Sequence, residues 1–346
     1  MKIVLTNCIE ITDPTEEVIK YCKKELVFKN PEMEKRKRMG FWVYGMNKEI
    51  KLYDEYMGKL YLPIGAMDDL FKIHPYAKDY TDYTTLNPIK ISSDIKLRDY
   101  QELAVPSVLN YMTGILNLPV GLGKTELALE CVNRTKQKTL WITHTSDLVK
   151  QAKERCDSKM TCKTSTITEG KCDLKGDIVF ATVQTLIKQI EKRAIPQDLF
   201  GMIIVDECHR VSVNPQSIQM FRNSIEYFAA RYKIGLSATV HRADGLAKAI
   251  EKIIGAIIYK IEKDDNEYVC IYEGQELLRF PIDAFQVPAQ IKVVETNYDV
   301  SDKPVFSSNG GTIQFASLIS DLSMNDDRNK LIIKTYEWDE DKIYIP

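Results

Sequence analysis

From about Ile91 onward, short apolar runs alternate with stretches of mixed, helix-forming composition. The runs are Gly114–Val120, Lys138–Thr143, Asp177–Thr182, Met202–Asp206 and Lys233–Ser237. Each holds few polar residues, the texture of a strand buried on both faces. Such strands alternating with helices predict an α/β domain, a parallel sheet flanked by helices. Ligands of these sheets sit at the carboxyl ends of the strands.

The first 90 residues are patterned differently. Ile3–Leu5 reads as a short strand, a helix is expected from Thr15, and Phe41–Tyr44 and Ile50–Tyr53 read as further strands. Pro63-Ile64-Gly65 marks a turn. Together they predict a small α+β unit, and the Asp-, Thr- and Tyr-rich segment Tyr76–Pro88 reads as a linker. Beyond the sheet, Tyr259–Pro288 is a polar, aromatic-dotted insertion with the look of a hairpin. Ala289–Glu295 reads as a fresh strand, a helix starts near Asp326, and Ile343–Pro346 ends within or just after another strand. The expected division is 1–90 for the small α+β domain, 91–265 for the parallel-sheet domain, and 266–346 for the insertion and the start of an incomplete second domain of the same kind.

Composition narrows the class. The chain has 346 residues, 44% hydrophobic and 28% charged, which suits a globular protein with sizeable cores. No apolar run approaches the roughly 18 residues of a membrane span. The N-terminal Met1–Leu5 stretch turns polar too soon for a secretory signal, so the cytoplasm is the expected compartment. Cys156, Cys162 and Cys172 lie too far apart for the usual zinc pairs, so free thiols are expected. The net charge of −2 announces no polyanionic partner. Locally the picture changes: residues 20–51 hold ten Lys and Arg against four acids, a net of +6. Within them Lys35, Arg36, Lys37 and Arg38 precede Phe41, Trp42 and Tyr44. Positive charge beside aromatics can neutralise phosphates and stack bases, so Lys35–Arg38 and Trp42 are candidate DNA contacts. The plain alternative is a solvated charge run beside a strand with core aromatics.

Candidate chemistry falls at the predicted strand ends. Pro119-Val120-Gly121-Leu122-Gly123-Lys124-Thr125 follows a strand and opens a helix. It forms the second half of a phosphate loop, in which backbone N–H groups and a helix N-terminus cradle phosphates. Val120, Gly121, Leu122 and Gly123 are the expected cradle of ATP. Lys124 is expected on the β- and γ-phosphates and Thr125 on Mg²⁺. Leu118 stands where the full pattern has its first glycine. Met202–Val205 leads into Asp206 and Glu207, suited to holding Mg²⁺ and polarising a water respectively. Upstream, Gln101 can read an adenine edge, with Arg98 or Tyr100 packed on the ring. His209 follows the acid pair directly, and Ser237 and Thr239 end another strand; these three are candidates for coupling the nucleotide to a bound strand. Thr145, Ser146, Gln184 and Thr185, also at strand ends, suit phosphate contacts. Each alone is no better than a helix cap. His74 and His241 read as surface or packing residues.

The ordered set Gln101, Gly121–Thr125, Asp206–His209 and Ser237–Thr239 resembles the Q motif and motifs I, II and III of superfamily 2 helicases, with a DECH form of motif II. The resemblance implies a RecA-like domain that hydrolyses ATP with Mg²⁺ and grips one nucleic-acid strand. Residues Val27–Asp54, Leu62–Gly65 and Val240–Gly245 further resemble the phage branch-migration helicases of the UvsW kind, and Arg242 is carried over as a DNA contact. That likeness implies a monomer in the host cytoplasm acting on branched or forked DNA, by branch migration or fork regression in replication, recombination or repair. The family also uses arginine fingers on a second RecA-like domain, worth ~10³–10⁵ in rate. None is found after Ala289, so the chain is expected to bind ATP and turn it over poorly. A restriction-type DNA translocase, an RNA helicase and a non-hydrolysing branched-DNA binding module are the alternative functions.

Overall fold

Ile3, Leu5, Ile9 and Ile11 alternate with less buried residues. Strands β1 (Lys2–Leu5) and β2 (Ile9–Thr12) therefore pair antiparallel, with Ile3 opposite Ile11. The Thr15 hydroxyl accepts the Val18 amide and starts α1 (Glu16–Glu25). Strand β3 (Val27–Lys29) pairs with β4 (Glu49–Lys51), and helix α2 (Pro31–Arg38) lies between them in the chain. Strands β5 (Asp54–Tyr56) and β6 (Lys59–Leu62), helix α3 (Met67–Ile73) and β7 (Tyr80–Asp82) complete the unit. Its larger sheet runs β5-β6-β2-β1-β7.

The computed structural model describes residues 1–74, 80–210, 215–238, 247–282 and 326–336. Residues 1–287 make one compact unit and residues 288–346 a second, in which the described part is the helix Asp326–Tyr336. The strands expected at Ala289–Glu295 and Ile343–Pro346 lie outside the described residues.

The remaining elements of the first unit follow in order. They are β8 (Ser92–Ser93), α4 (Asp99–Glu102), α5 (Val105–Tyr111), β9 (Thr113–Asn117), α6 (Lys124–Thr135), β10 (Thr139–Thr143) and α7 (Ser146–Lys159). Next come β11 (Met160–Thr161), β12 (Thr164–Ile167), β13 (Ile178–Thr182), α8 (Val183–Glu191), β14 (Met202–Val205) and α9 (Pro215–Glu226). Last are β15 (Tyr232–Ser237), α10 (Ala247–Ile254), β16 (Ile257–Asp264), β17 (Glu267–Tyr272) and β18 (Gln275–Pro281). Nine strands form one sheet in the order β12-β13-β10-β14-β15-β9-β16-β17-β18. The first seven are parallel and the last two antiparallel. This is the RecA-like α/β arrangement with flanking helices. The five apolar runs are its five adjacent strands β13, β10, β14, β15 and β9.

Three local expectations fail. Phe41–Tyr44 is an exposed loop rather than a strand, bracketed by Gly40 and Gly45 at φ +71° and +80°. The segment Tyr76–Pro88 is more than a linker, because Tyr80–Asp82 pairs parallel with β1, a partner too distant in sequence for local pattern to show. In Tyr259–Pro288 the hairpin is present, β17 pairing antiparallel with β18, but it continues the sheet instead of being inserted: β16 pairs with β9 and carries both strands as far as Pro281, and residues 283–288 lie outside the described residues.

One apolar cluster joins the small N-terminal unit to helices α8, α9 and α10 and through them to the sheet. Each fully buried Ile or Leu in it is worth about 1.5–3 kcal/mol. Charged pairs rim the joint: Arg222 to Asp54 at 2.7 Å, Arg231 to Asp82 at 2.6 Å, and Lys252 to Asp69. Lys233, fully buried on β15, donates to the Asn7 carbonyl at 2.8 Å, and burial pulls its ammonium down to about 8. A Cβ at Gly65 would strike the backbone of Glu251, Lys252 and Gly255, so only glycine admits this approach.

Candidate functional site

Strand β9 stops at Asn117, and Leu118 extends it by one bond, its amide to the Ser237 carbonyl at 2.9 Å. Leu118 is wholly buried with ordinary backbone, so this position does not call on glycine's freedom. Pro119 then turns the chain. Gly121 and Gly123 sit at φ +87° and +71°, a region that side-chain-bearing residues enter at a cost. A Cβ at Gly121 would meet nothing within 4 Å, so the loop opens onto free space there. Gly123 is the cap residue of α6, and Lys124 and Thr125 form its first turn. The unpaired N–H groups of that turn favour an anion.

The acid pair lies close by. Asp206 takes its register from β10, its amide donating to the Ile142 carbonyl at 2.9 Å. Glu207 adopts φ +49°, a strained conformation of the kind found at functional sites. Lys124 Nζ reaches the Leu118 carbonyl at 3.3 Å and Glu207 Oε1 at 3.9 Å. Glu207 Oε2 lies 3.2 Å from His209 Nδ1, which is itself 3.0 Å from Ser237 Oγ. Burial, and then the adjoining Glu207 carboxylate, push the Asp206 carboxyl up to about 6. Burial draws the Lys124 ammonium below its ordinary value, against the opposing pull of Glu207 and Asp206. Two crowded carboxylates facing one partly desolvated lysine make a setting that a divalent cation would relieve. Among the described residues no group of three or more His, Cys, Asp or Glu forms a metal site. Mg²⁺ seldom needs one, since it is commonly held by one or two side chains plus substrate phosphates.

Gln101 and Tyr100 are placed differently from expectation. Gln101 is buried, its amide donating to the carbonyls of Leu122 and Gly123 while its Oε1 accepts the Arg98 amide. Tyr100 is 1% exposed and its ring stacks on Phe280 at 4.7 Å, so it has no face to offer an adenine. Both residues brace the phosphate loop, because α4 is wedged between that loop and β16–β18. Arg98 remains exposed, with Nη1 on the Tyr100 hydroxyl at 3.0 Å. The motif pattern missed Tyr259, whose hydroxyl donates to the Tyr100 carbonyl at 2.6 Å, and Phe280. Their signal was the aromatic spacing of a segment taken for an insertion.

Thr145 and Ser146 start α7 after β10, and Gln184 and Thr185 start α8 after β13. Thr143 and Thr182 face each other in register, so these two strand ends are neighbours on the edge that bears the acid pair. Part of their capacity is spent locally: Thr145 caps α7 at Leu148, and Thr185 accepts from Thr182 at 3.0 Å. Lys35–Arg38 form the last turn of α2 in the N-terminal unit, and Trp42 follows on the loop. Thr239, His241, Arg242 and the rest of Val240–Gly245 lie outside the described residues.

The chain is similar to several known proteins. The family described as "Type III restriction enzyme, res subunit" matches residues 94–242. The DNA 3'-5' translocase XPB2 of Sulfurisphaera tokodaii is 33% identical over 189 residues, 54% of this chain and 41% of that protein. A probable helicase of Escherichia phage T5 is 30% identical over 263 residues, 75% of this chain and 53% of that protein. The chain thus spans about half the length of these curated relatives. Among solved structures, the UvsW helicase from Bacteriophage T4 shares the fold with TM-score 0.52 and 21% identity, over 74% of this chain and 99% of that one.

Proposed function

We propose that this chain is a superfamily 2 helicase motor that couples Mg²⁺-dependent ATP hydrolysis to movement along DNA, with branched or forked DNA as substrate. The observation that carries this reading is the unbroken set of contacts Lys124–Glu207–His209–Ser237 at the ends of adjacent strands. It joins the phosphate loop to the acid pair and the acid pair to the end of β15.

The residues present fit ATP and Mg²⁺. Backbone N–H groups of Val120–Gly123 and the first turn of α6 would hold the phosphates, with Lys124 neutralising their charge. Thr125 and Asp206 would hold the cation. When bound, Mg·ATP supplies an electrophilic phosphorus whose leaving oxygen is already charge-compensated. Glu207 would be the acceptor for a water proton, with Lys124 Nζ 3.9 Å from its Oε1. His209 relays the position of Glu207 to Ser237 through the hydrogen bond between them. Thr145, Ser146, Gln184 and Thr185, beside the acid pair, are the proposed phosphodiester contacts of the tracked strand; Thr239 and Arg242 belong to the same proposal. Branch migration and fork regression, in replication, recombination or repair, are the proposed outcome of such tracking. The chain would act as a monomer in the host cytoplasm; no described helix is long and apolar enough to cross a membrane.

A second reading is tracking along duplex DNA without strand separation, favoured by the restriction-subunit family match and the translocase relative. ATPase stimulation by single strands, blunt duplex, forks and RNA separates the two, fork preference supporting the first. Lys124→Ala should abolish Mg·ATP binding with the fold intact. Glu207→Gln should bind the nucleotide and fail to hydrolyse it. A Lys124→Ala chain that binds Mg·ATP at the wild-type level would sink the reading.

A further inference from the structure

The segment between β3 and β4 is built as a projection. At its base Asn30, 1% exposed, does three tasks. Its Oδ1 caps α2 at Glu32 and Met33, its Nδ2 donates to the Asn47 carbonyl at 2.7 Å, and its amide donates to the Lys48 carbonyl at 3.0 Å. The outgoing and returning arms are thereby clipped together. At the tip, Phe41 N donates to the Arg36 carbonyl at 2.9 Å and Met46 N to the Val43 carbonyl at 3.2 Å. The tip is an ordered turn that holds its aromatics outward: Phe41, Trp42 and Tyr44 are 61%, 80% and 86% exposed. Trp42 and Tyr44 have ring centroids 6.1 Å apart. Nothing in the folding of the chain calls for three large aromatics in water.

The charges around them are mostly basic. Arg36 and Lys37 are paired to Glu32 and Glu34, but Lys35, Arg38, Lys48 and Lys51 make no ion pair among the described residues. The returning arm then lines a cleft of about 550 Å³, whose wall includes Asn47, Lys48, Glu49 and Lys51 from this unit and Gln216 and Gln219 from α9. Helix α9 is the next described α-helix after the acid pair. Apart from the Glu49 carboxylate, the polar groups of this cleft are amines and amides, which suit a phosphodiester backbone. Flat aromatic faces suit bases that are not already stacked in a duplex.

We propose that the projection is a single-strand binding site: Trp42 and Tyr44 stack on unpaired bases of DNA, and the cleft from Lys48 to Gln219 takes the adjoining backbone toward the motor. The surface deepens the functional reading above by naming the substrate form it selects, the unpaired strand at a fork, and it rests on that reading.

The test measures binding without nucleotide, by anisotropy, of labelled oligothymidylate and of a blunt duplex. Wild type is compared with the double variants Trp42→Ala/Tyr44→Ala and Trp42→Phe/Tyr44→Phe. Loss of two stacking rings should weaken oligothymidylate binding about tenfold or more, leave the blunt duplex within about twofold, and be largely rescued by phenylalanine. Lys48→Gln/Lys51→Gln should lower the salt slope for the single strand by about 0.7 per lysine. Unchanged binding of oligothymidylate by the alanine pair, or an equal loss on the duplex, overturns the inference. Mg·ATP binding is read separately through Lys124, so a failure here and a failure of the ATPase reading are distinguishable.

Discussion

The side-chain amide of Gln101 donates to the Gly123 carbonyl at 3.1 Å, and the same nitrogen reaches the Leu122 carbonyl at 3.1 Å. Both donors of the amide are thus aimed at the loop, and the acceptor is held by Arg98. Gln101 therefore acts on the nucleotide through the loop. Gln101→Glu would set a carboxylate against two carbonyls in a buried place, at a cost of roughly 1–3 kcal/mol. Affinity for ATP and for GTP should fall together, by about tenfold, in a titration with fluorescent analogues. A loss confined to ATP would show that Gln101 reads the base instead.

His209 shares its Nδ1 between Glu207 and Ser237, so the carboxylate is positioned from the far side by a strand-end hydroxyl. One such hydrogen bond is worth about 0.5–1.5 kcal/mol. Ser237→Ala should leave Mg·ATP affinity unchanged and reduce DNA-stimulated hydrolysis by roughly 3- to 10-fold. Basal and stimulated rates measured side by side decide it. A proportional drop in both would assign Ser237 a role in packing alone.

What the sequence made legible depended on how local each signal was. The strands β9, β10, β13, β14 and β15 were visible because a parallel strand is apolar on both faces, and the loop 119–125 because its chemistry needs contiguous residues. β12 (Thr164–Ile167) was missed since edge strands carry polar residues such as Thr164 and Thr166. Phe41–Tyr44 looked like a strand because aromatics favour sheets, yet the glycines on either side break the extended run. The bracing role of Tyr100 depended on Phe280, a partner that local pattern cannot supply.

Asp206 has a sign that can be checked without any metal. An unfolded Asp titrates near 3.8 and the folded one near 6. Between about pH 4 and 6 the folded chain therefore holds a proton that the unfolded chain has released, and this group's contribution to stability falls as pH rises through that window. At about 1.4 kcal/mol per pKa unit the change is on the order of 2–3 kcal/mol. Asp206→Asn lacks the titration, so its stability relative to wild type should grow from pH 4 to 6 and then level. Urea midpoints in chelator across that range measure it, and a constant difference would contradict the assigned burial.

Gly65 marks the place where the N-terminal unit meets α10 backbone to backbone. Its own backbone lies outside the left-handed region, so alanine there would cost nothing in conformation, and only the clash with Glu251, Lys252 and Gly255 remains. Backbone cannot yield as a flexible side chain does, and overpacking of this kind costs about 1–3 kcal/mol. Gly58, at φ +74° with nothing within 4 Å of a Cβ, is the matched control in which only conformation is strained. Gly65→Ala should loosen the joint, so that limited proteolysis cuts between residues 74 and 91 sooner than in wild type. Gly58→Ala should lose stability without that change in cleavage. Because Lys233 ties Asn7 to the start of β15 and Ser237 ends the same strand, a loosened joint should also lower DNA-stimulated ATPase while leaving Mg·ATP affinity intact. If Gly65→Ala matches wild type in both protease resistance and stimulation, the close approach is not what holds residues 1–74 against α10.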